Sequence, residues 1–224
     1  MLTRVIAKIV VGLAIIVVTA DGAQVWAETR PGETTARSEP ALEVSGFRSA
    51  QFGMAETAVR AAIAKDFPVQ AKTIASETNP VEKTTALSLT VDDLVPESGP
   101  ARISYILGYK SKALIQVNIT WGAVAPGVAA AAPETLVNTA AQLSNYLSGA
   151  GYSPDSIVSN AVLPGGSLVV FRGNDSKGRM TLLAMRGRNE TVDKVVQFTP
   201  NQLQLSYVAD PRNPDVFRLE KGKF

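Results

Sequence analysis

Three stretches of the chain, residues 85–91, 102–109 and 114–121, alternate apolar and more polar side chains with a period of two. Leu87, Leu89 and Val91 alternate with Ala86, Ser88 and Thr90. Ile103, Tyr105, Leu107 and Tyr109 alternate with Arg102, Ser104, Ile106 and Gly108. Ile115, Val117, Ile119 and Trp121 alternate with Leu114, Gln116, Asn118 and Thr120. Successive side chains of a strand leave on opposite faces, so the pattern demands strands with one apolar and one wetter face. Lys110, Ser111 and Lys112 make a polar link suited to a hairpin between the last two. Upstream, Val59, Ile63 and Phe67 recur at spacing four in an Ala-rich stretch, 54–67, which Gly53 opens and Pro68 must close. A helix laid on the apolar face of such a sheet encloses a small core.

The order then repeats. Gly122 to Ala132 is an uncharged Ala, Gly and Pro stretch, read as a connector. Pro133, Glu134 and Thr135 open a second helix, with Leu136, Ala140, Leu143 and Leu147 on one side and Gly149 and Gly151 at its end. Strand signals return at Ser167 to Arg172, Met180 to Arg186 and Leu203 to Val208, with a weaker one at Asp155 to Leu163. The expected fold is therefore α+β. It has two consecutive helix-plus-antiparallel-sheet units, 46–122 and 133–224, joined by 123–132, each helix packed on one sheet face.

Residues 1–27 read as a secretory signal peptide. Arg4 and Lys8 precede an apolar run, Ile9 to Ala20, and Val25 and Ala27 suit a cut before Glu28. The apolar run is short for a permanent span, and an uncleaved anchor is the other reading. Residues 28–45 are rich in Thr, Pro, Glu and Ser and read as a flexible leader. The expected location is periplasmic or secreted. The 224-residue chain has no cysteine, so an exported fold must stand without disulfides, and no lipid-anchoring Cys is present. It has no histidine either, which removes the commonest general base and zinc ligand. Its 22 basic and 20 acidic residues nearly cancel, leaving no field to recruit nucleic acid.

The run Phe47-Arg48-Ser49-Ala50-Gln51-Phe52-Gly53-Met54-Ala55-Glu56-Thr57-Ala58-Val59 resembles the opening of domains shared by the BamE/SmpA outer-membrane assembly lipoproteins and the β-lactamase inhibitor protein. Gly53, Met54 and Val59 match that pattern, and Phe47 or Phe52 supplies its aromatic. Ala55 stands where those domains have a Ser or Thr helix cap, and Ala58 where they have a polar residue. The resemblance implies tandem helix-plus-sheet halves and the gripping of a protein partner by loops and a sheet face. It transfers no inhibitory residue. A looser likeness is to PepSY-type exported domains.

Among candidate site residues, Arg172, Lys177, Arg179, Arg186 and Arg188 gather around one hairpin. On a shared face they would form a basic ridge able to hold a carboxylate or phosphate, and charges on a strand edge also guard against edge pairing. Trp121, at a strand end beside the connector, is a candidate interface anchor. Tyr105, Tyr109 and Trp121 are all expected to point towards the first helix. Asp92 and Asp93, with Glu97 nearby, offer carboxylates for a hard cation but lack calcium-loop spacing. Ser111-Lys112 and Ser176-Lys177 are adjacent without making a dyad, and no nucleophile elbow, phosphate loop or dinucleotide fingerprint is present. No catalytic residue, metal ligand or cofactor is therefore expected. The expected function is recognition of another envelope macromolecule by a non-enzymatic exported protein. A small-ligand or metal-ion carrier is the second reading, and a hydrolase working without His or Cys the third.

Overall fold

The computed structural model describes residues 42–68, 73–163, 166–192, 195–219 and 222. The expected signal peptide, 1–27, and the leader up to residue 41 lie outside the described residues. A hairpin, β1 (Gly46–Phe47) and β2 (Ala50–Gln51), leads into helix α1 (Glu56–Asp66). Four strands follow: β3 (Ala75–Thr78), β4 (Thr85–Val91), β5 (Ala101–Leu107) and β6 (Leu114–Gly122). Residues 123–132 link β6 to helix α2 (Pro133–Ser148). After a single 3-10 turn at Pro154–Ser156 come β7 (Val158–Val162), β8 (Leu168–Asn174), β9 (Met180–Val192) and β10 (Val195–Val208).

The expectation of two helix-plus-sheet units is corrected. All eight long strands form one antiparallel sheet in the order β3-β4-β5-β6-β10-β9-β8-β7, and strands outweigh the two helices. The seam is the pairing of β6 with β10, in register from Gly122 opposite Gln202 to Gln116 opposite Val208. Periodicity assigns side chains to faces but says nothing of which backbone edge meets which. Left alone, β6 would present unpaired N–H and C=O groups along its edge, and the last strand of the sheet closes it.

The register builds one apolar face across the seam. Leu89, Ile103, Ile119, Leu205, Leu183 and Phe171 stand opposite one another in a row over six strands. Flanking rows bring Tyr105, Val117 and Tyr207 together, and Trp121, Leu203 and Met185. Both helices contribute to this single core: Val59, Ala62 and Ile63 from α1, and Leu136, Ala140, Leu143 and Leu147 from α2. Helix α2 runs along β10, β9 and β8.

Local chemistry sets the details. Gly53 takes a left-handed φ of +88°, and the chain then hydrogen-bonds to the start of β6 through Gly53 N to Leu114 O and Leu114 N to Met54 O. Ala55 gives α1 no side-chain cap. A register shift opposite Leu107 turns Leu114, not Ile115, into the core. Tyr109 lies past the end of β5 and packs edge-on against Phe217, so it does not point towards α1. Val44, expected in the flexible leader, is only 4% exposed, and its N–H donates to Asp175. β9 and β10 are longer than their apolar runs, pairing on over 187–192 and 195–200, beyond the ends of β6 and β8.

Candidate functional site

With both helices on one face, the other face of the sheet carries no helix, although Ser88, Ser206 and Val169 on it are buried. Its side chains are the other alternates of the same strands, mostly polar on β4, β5, β6 and β10 and partly apolar on β8 and β9. One row reads Ser88, Ser104, Asn118, Ser206, Leu182 and Arg172; the next reads Thr90, Arg102, Thr120, Gln204, Ala184 and Val169. The centre is almost free of charge. Its groups hydrogen-bond within the face: Ser88 Oγ to Ser104 Oγ at 2.9 Å, Gln116 Nε2 to Asn118 Oδ1 at 2.8 Å, and Gln204 Nε2 to Ser206 Oγ at 2.9 Å. Arg102 is neutralised at the β3 end by Glu77 at 3.4 Å.

The five hairpin cations divide into two sets. Arg172, Arg186 and Arg188 lie on the open face, exposed, and none has an ion pair among the described residues. In register they span six residues of β9, from opposite Leu182 to position 188, a line of about 20 Å. Such a line meets an extended surface better than a single phosphate. Lys177 and Arg179 sit elsewhere. Lys177 Nζ is 2.7 Å and Arg179 Nη1 2.9 Å from Glu43 Oε1, and Arg179 also donates to Val44 O. The Lys177 ammonium, by hydrogen bond and charge, and then Arg179 hold the Glu43 carboxyl below its usual range. Asp175, between these cations, accepts the N–H groups of Val44, Lys177 and Arg179 at 2.9 Å each. These residues fasten the segment before β1 to the β8–β9 turn, which is a structural task.

Trp121 is fully buried at 0% exposure, so it is no surface anchor; it faces the helices with Tyr105. Its indole N–H and the Tyr105 hydroxyl are buried without a hydrogen-bond partner among the described residues. Asp93 accepts the Ser98 N–H at 3.1 Å and so closes its own turn. Among the described residues no three Asp, Glu, His or Cys side chains converge. Lys177 turns to Glu43, and Lys112 lies over the Tyr109 ring.

Periodicity had marked the core face; the open face was legible in the same alternation. Outward strand positions are ordinarily rich in Lys and Glu, whereas here Ser, Thr, Asn and Gln predominate over β4, β5, β6 and β10. Neither a family model, nor a curated protein, nor a solved structure matches the chain.

Proposed function

We propose that the chain is an exported, non-enzymatic protein that recognises another macromolecule of the bacterial envelope, and that it does so with the open face of its sheet. The observation that carries this reading is the make-up of that face: Ser, Thr, Asn and Gln predominate over β4, β5, β6 and β10, with Arg102 paired to Glu77, and give way to Leu182, Ala184 and Val169 beside Arg172, Arg186 and Arg188. Counting about seven residues on each of six strands, with the four of β3 and the five of β7, at about 3.3 Å per residue and about 4.8 Å per strand gives a surface of roughly 800 Å². That is close to one partner's share of a standard protein interface, about 800 Å². Uncharged polar groups are cheaper to desolvate than ions and still fix register by hydrogen bonding. The three arginines add a charged margin that speeds encounter with an acidic partner. Residues 1–27 supply the route of export, and the opening motif at Gly53-Met54 points to domains that also grip proteins.

The test is site-specific photo-crosslinking in intact cells. A photoreactive residue at Asn118, on the open face, gives one discrete protein adduct. The same residue at Val137, exposed on α2, gives none. Replacing Arg172, Arg186 and Arg188 together by Glu weakens the Asn118 adduct. Equal labelling from both positions, or recovery of the protein from the cytosol with Met1 retained, refutes the proposal.

A further inference from the structure

At the corner of the sheet, the β8–β9 turn and the chain leaving β10 enclose a cavity of about 780 Å³. Arg172 of β8 and Arg212 both line it. Arg212 lies four residues past Val208, the end of β10, and its own turn places it there. Asp210 Oδ1 accepts the N–H groups of Arg212 at 3.0 Å and Asn213 at 2.9 Å, the local bonding by which an Asp bends the chain after it.

The carboxylates of this cavity are committed, and its guanidiniums are not. Asp175 is buried and receives the N–H groups of Val44, Lys177 and Arg179, while Asp210 holds its own turn. Lys177 is answered by Glu43. Arg172 and Arg212 are exposed, and neither side chain has an ion pair or a hydrogen bond among the described residues. Further polar groups stand open on the same wall. Ser176 has neither its N–H nor its hydroxyl engaged among the described residues. Asn174 spends its amide N–H on the Gly178 carbonyl, which leaves its side-chain oxygen to accept.

We propose that this cavity binds a small phosphorylated sugar or polyol, its phosphate held between Arg172 and Arg212. Each guanidinium presents a planar fork of N–H donors. Two forks on one cavity outnumber the two oxygens of a carboxylate, whereas a phosphate monoester offers three oxygens and close to two negative charges. The volume lies in the ordinary range for ligand sites, about 300–1,000 Å³, and exceeds what a bare phosphate fills. The rest of the ligand meets the Ser176 hydroxyl as donor and the Asn174 oxygen as acceptor, which suits hydroxyl groups rather than a ring or an alkyl chain.

The full chain, titrated with glucose 6-phosphate and followed by the NMR resonance of the Ser176 amide, tests this. Glucose 6-phosphate gives a saturable shift and glucose none, and inorganic phosphate binds about tenfold more weakly for want of the hydroxyl contacts. Binding weakens between about pH 7.5 and about pH 5.5, as the phosphate takes up its second proton near pH 6. Arg172→Gln and Arg212→Gln, both at exposed positions that leave the fold intact, each weaken it by about tenfold or more, the loss of one charge-assisted pair. Arg186→Gln, which removes the same charge outside the cavity, changes it by less than about twofold. A Ser176 amide indifferent to glucose 6-phosphate overturns the proposal. Equal weakening by Arg212→Gln and Arg186→Gln also overturns it, since that is the mark of general charge attraction. Arg172 is common to this cavity and the open face, but Arg212 serves the cavity alone and Arg186 and Arg188 the open face alone, so the failure of one reading is distinguishable from the failure of the other.

Discussion

The carboxylate of Asp215 occupies the space that a side chain on Gly108 would need. From there it accepts the N–H groups of Lys110 at 3.0 Å and Ser111 at 2.8 Å, while Tyr109 N donates to the Asp215 carbonyl. The segment after β10 is thereby strapped over the β5–β6 turn, and Phe217 N continues the strap to Glu82 O. Gly108→Ala should push the carboxylate out and destabilise the protein by about 1–3 kcal/mol, read as a lower urea midpoint at unchanged slope.

The same carboxylate makes the strap acid-sensitive. The hydrogen bond from the Ser111 side chain, joined by those from the Ser111 and Lys110 backbone, outweighs the opposing effect of burial and holds the Asp215 carboxyl below its usual range. Its stabilisation is therefore complete above the ordinary Asp value of about 3.9 and is lost as pH falls through and below it. Hydrogen exchange at the Lys110 and Ser111 amides should quicken relative to the sheet as pH drops through this range. In Asp215→Asn it should already be fast at neutral pH.

At the alkaline end the buried phenols govern. Burial, with the Asp66 charge a lesser cause, raises the Tyr105 hydroxyl well above its usual value, and burial likewise raises Tyr207. Both groups are protonated in either state below about pH 10, so their contribution is intact there. Above it the unfolded chain ionises first, and stability falls by about 1.4 kcal/mol per pH unit for each. Burial raises Tyr152 as well, so Tyr105→Phe should reduce that slope without abolishing it in denaturation curves taken above pH 10. Because the Tyr105 hydroxyl is buried without a partner among the described residues, the same change should leave stability at pH 7 equal or up to about 1 kcal/mol higher.

A single sheet implies a single transition. Leu205 stands between Ile119 and Leu183 at the seam and is 3% exposed, so Leu205→Ala should cost about 2–5 kcal/mol and lower one cooperative melt without splitting it. Fragments 42–122 and 133–219, expressed separately, should lack dispersed amide spectra. Independent folding of either would show that the seam is dispensable.

How much of this was legible beforehand follows from which physics each feature rests on. The alternation at Leu87 to Trp121 marks both the strands and the core face, because burial of one face is written into side-chain chemistry at each position. Helix positions follow in the same way from Val59 and Ile63 and from Leu136 to Leu147. The join of β6 to β10 was hidden because it consists of backbone hydrogen bonds, which Gln116 to Gly122 and Gln202 to Val208 make whatever their side chains. β3, Ala75–Thr78, is fully exposed and carries no apolar period, so only its pairing with β4 reveals it. The hairpin cations were visible as a cluster, but their division was not. Arg172, Arg186 and Arg188 follow strand parity, whereas Lys177 and Arg179 lie in the turn beside Glu43, far away in sequence.

β10, placed at the middle of the sheet, follows all the other described strands in chain order. Until it has left the ribosome, the β3–β6 ribbon and the β7–β9 ribbon each keep an open inner border and neither can complete its barrier against water. A sheet wired in this way stays pliant until β10 is made and hardens only then. Any product truncated before Val195 is left with its sticky rims unpaired.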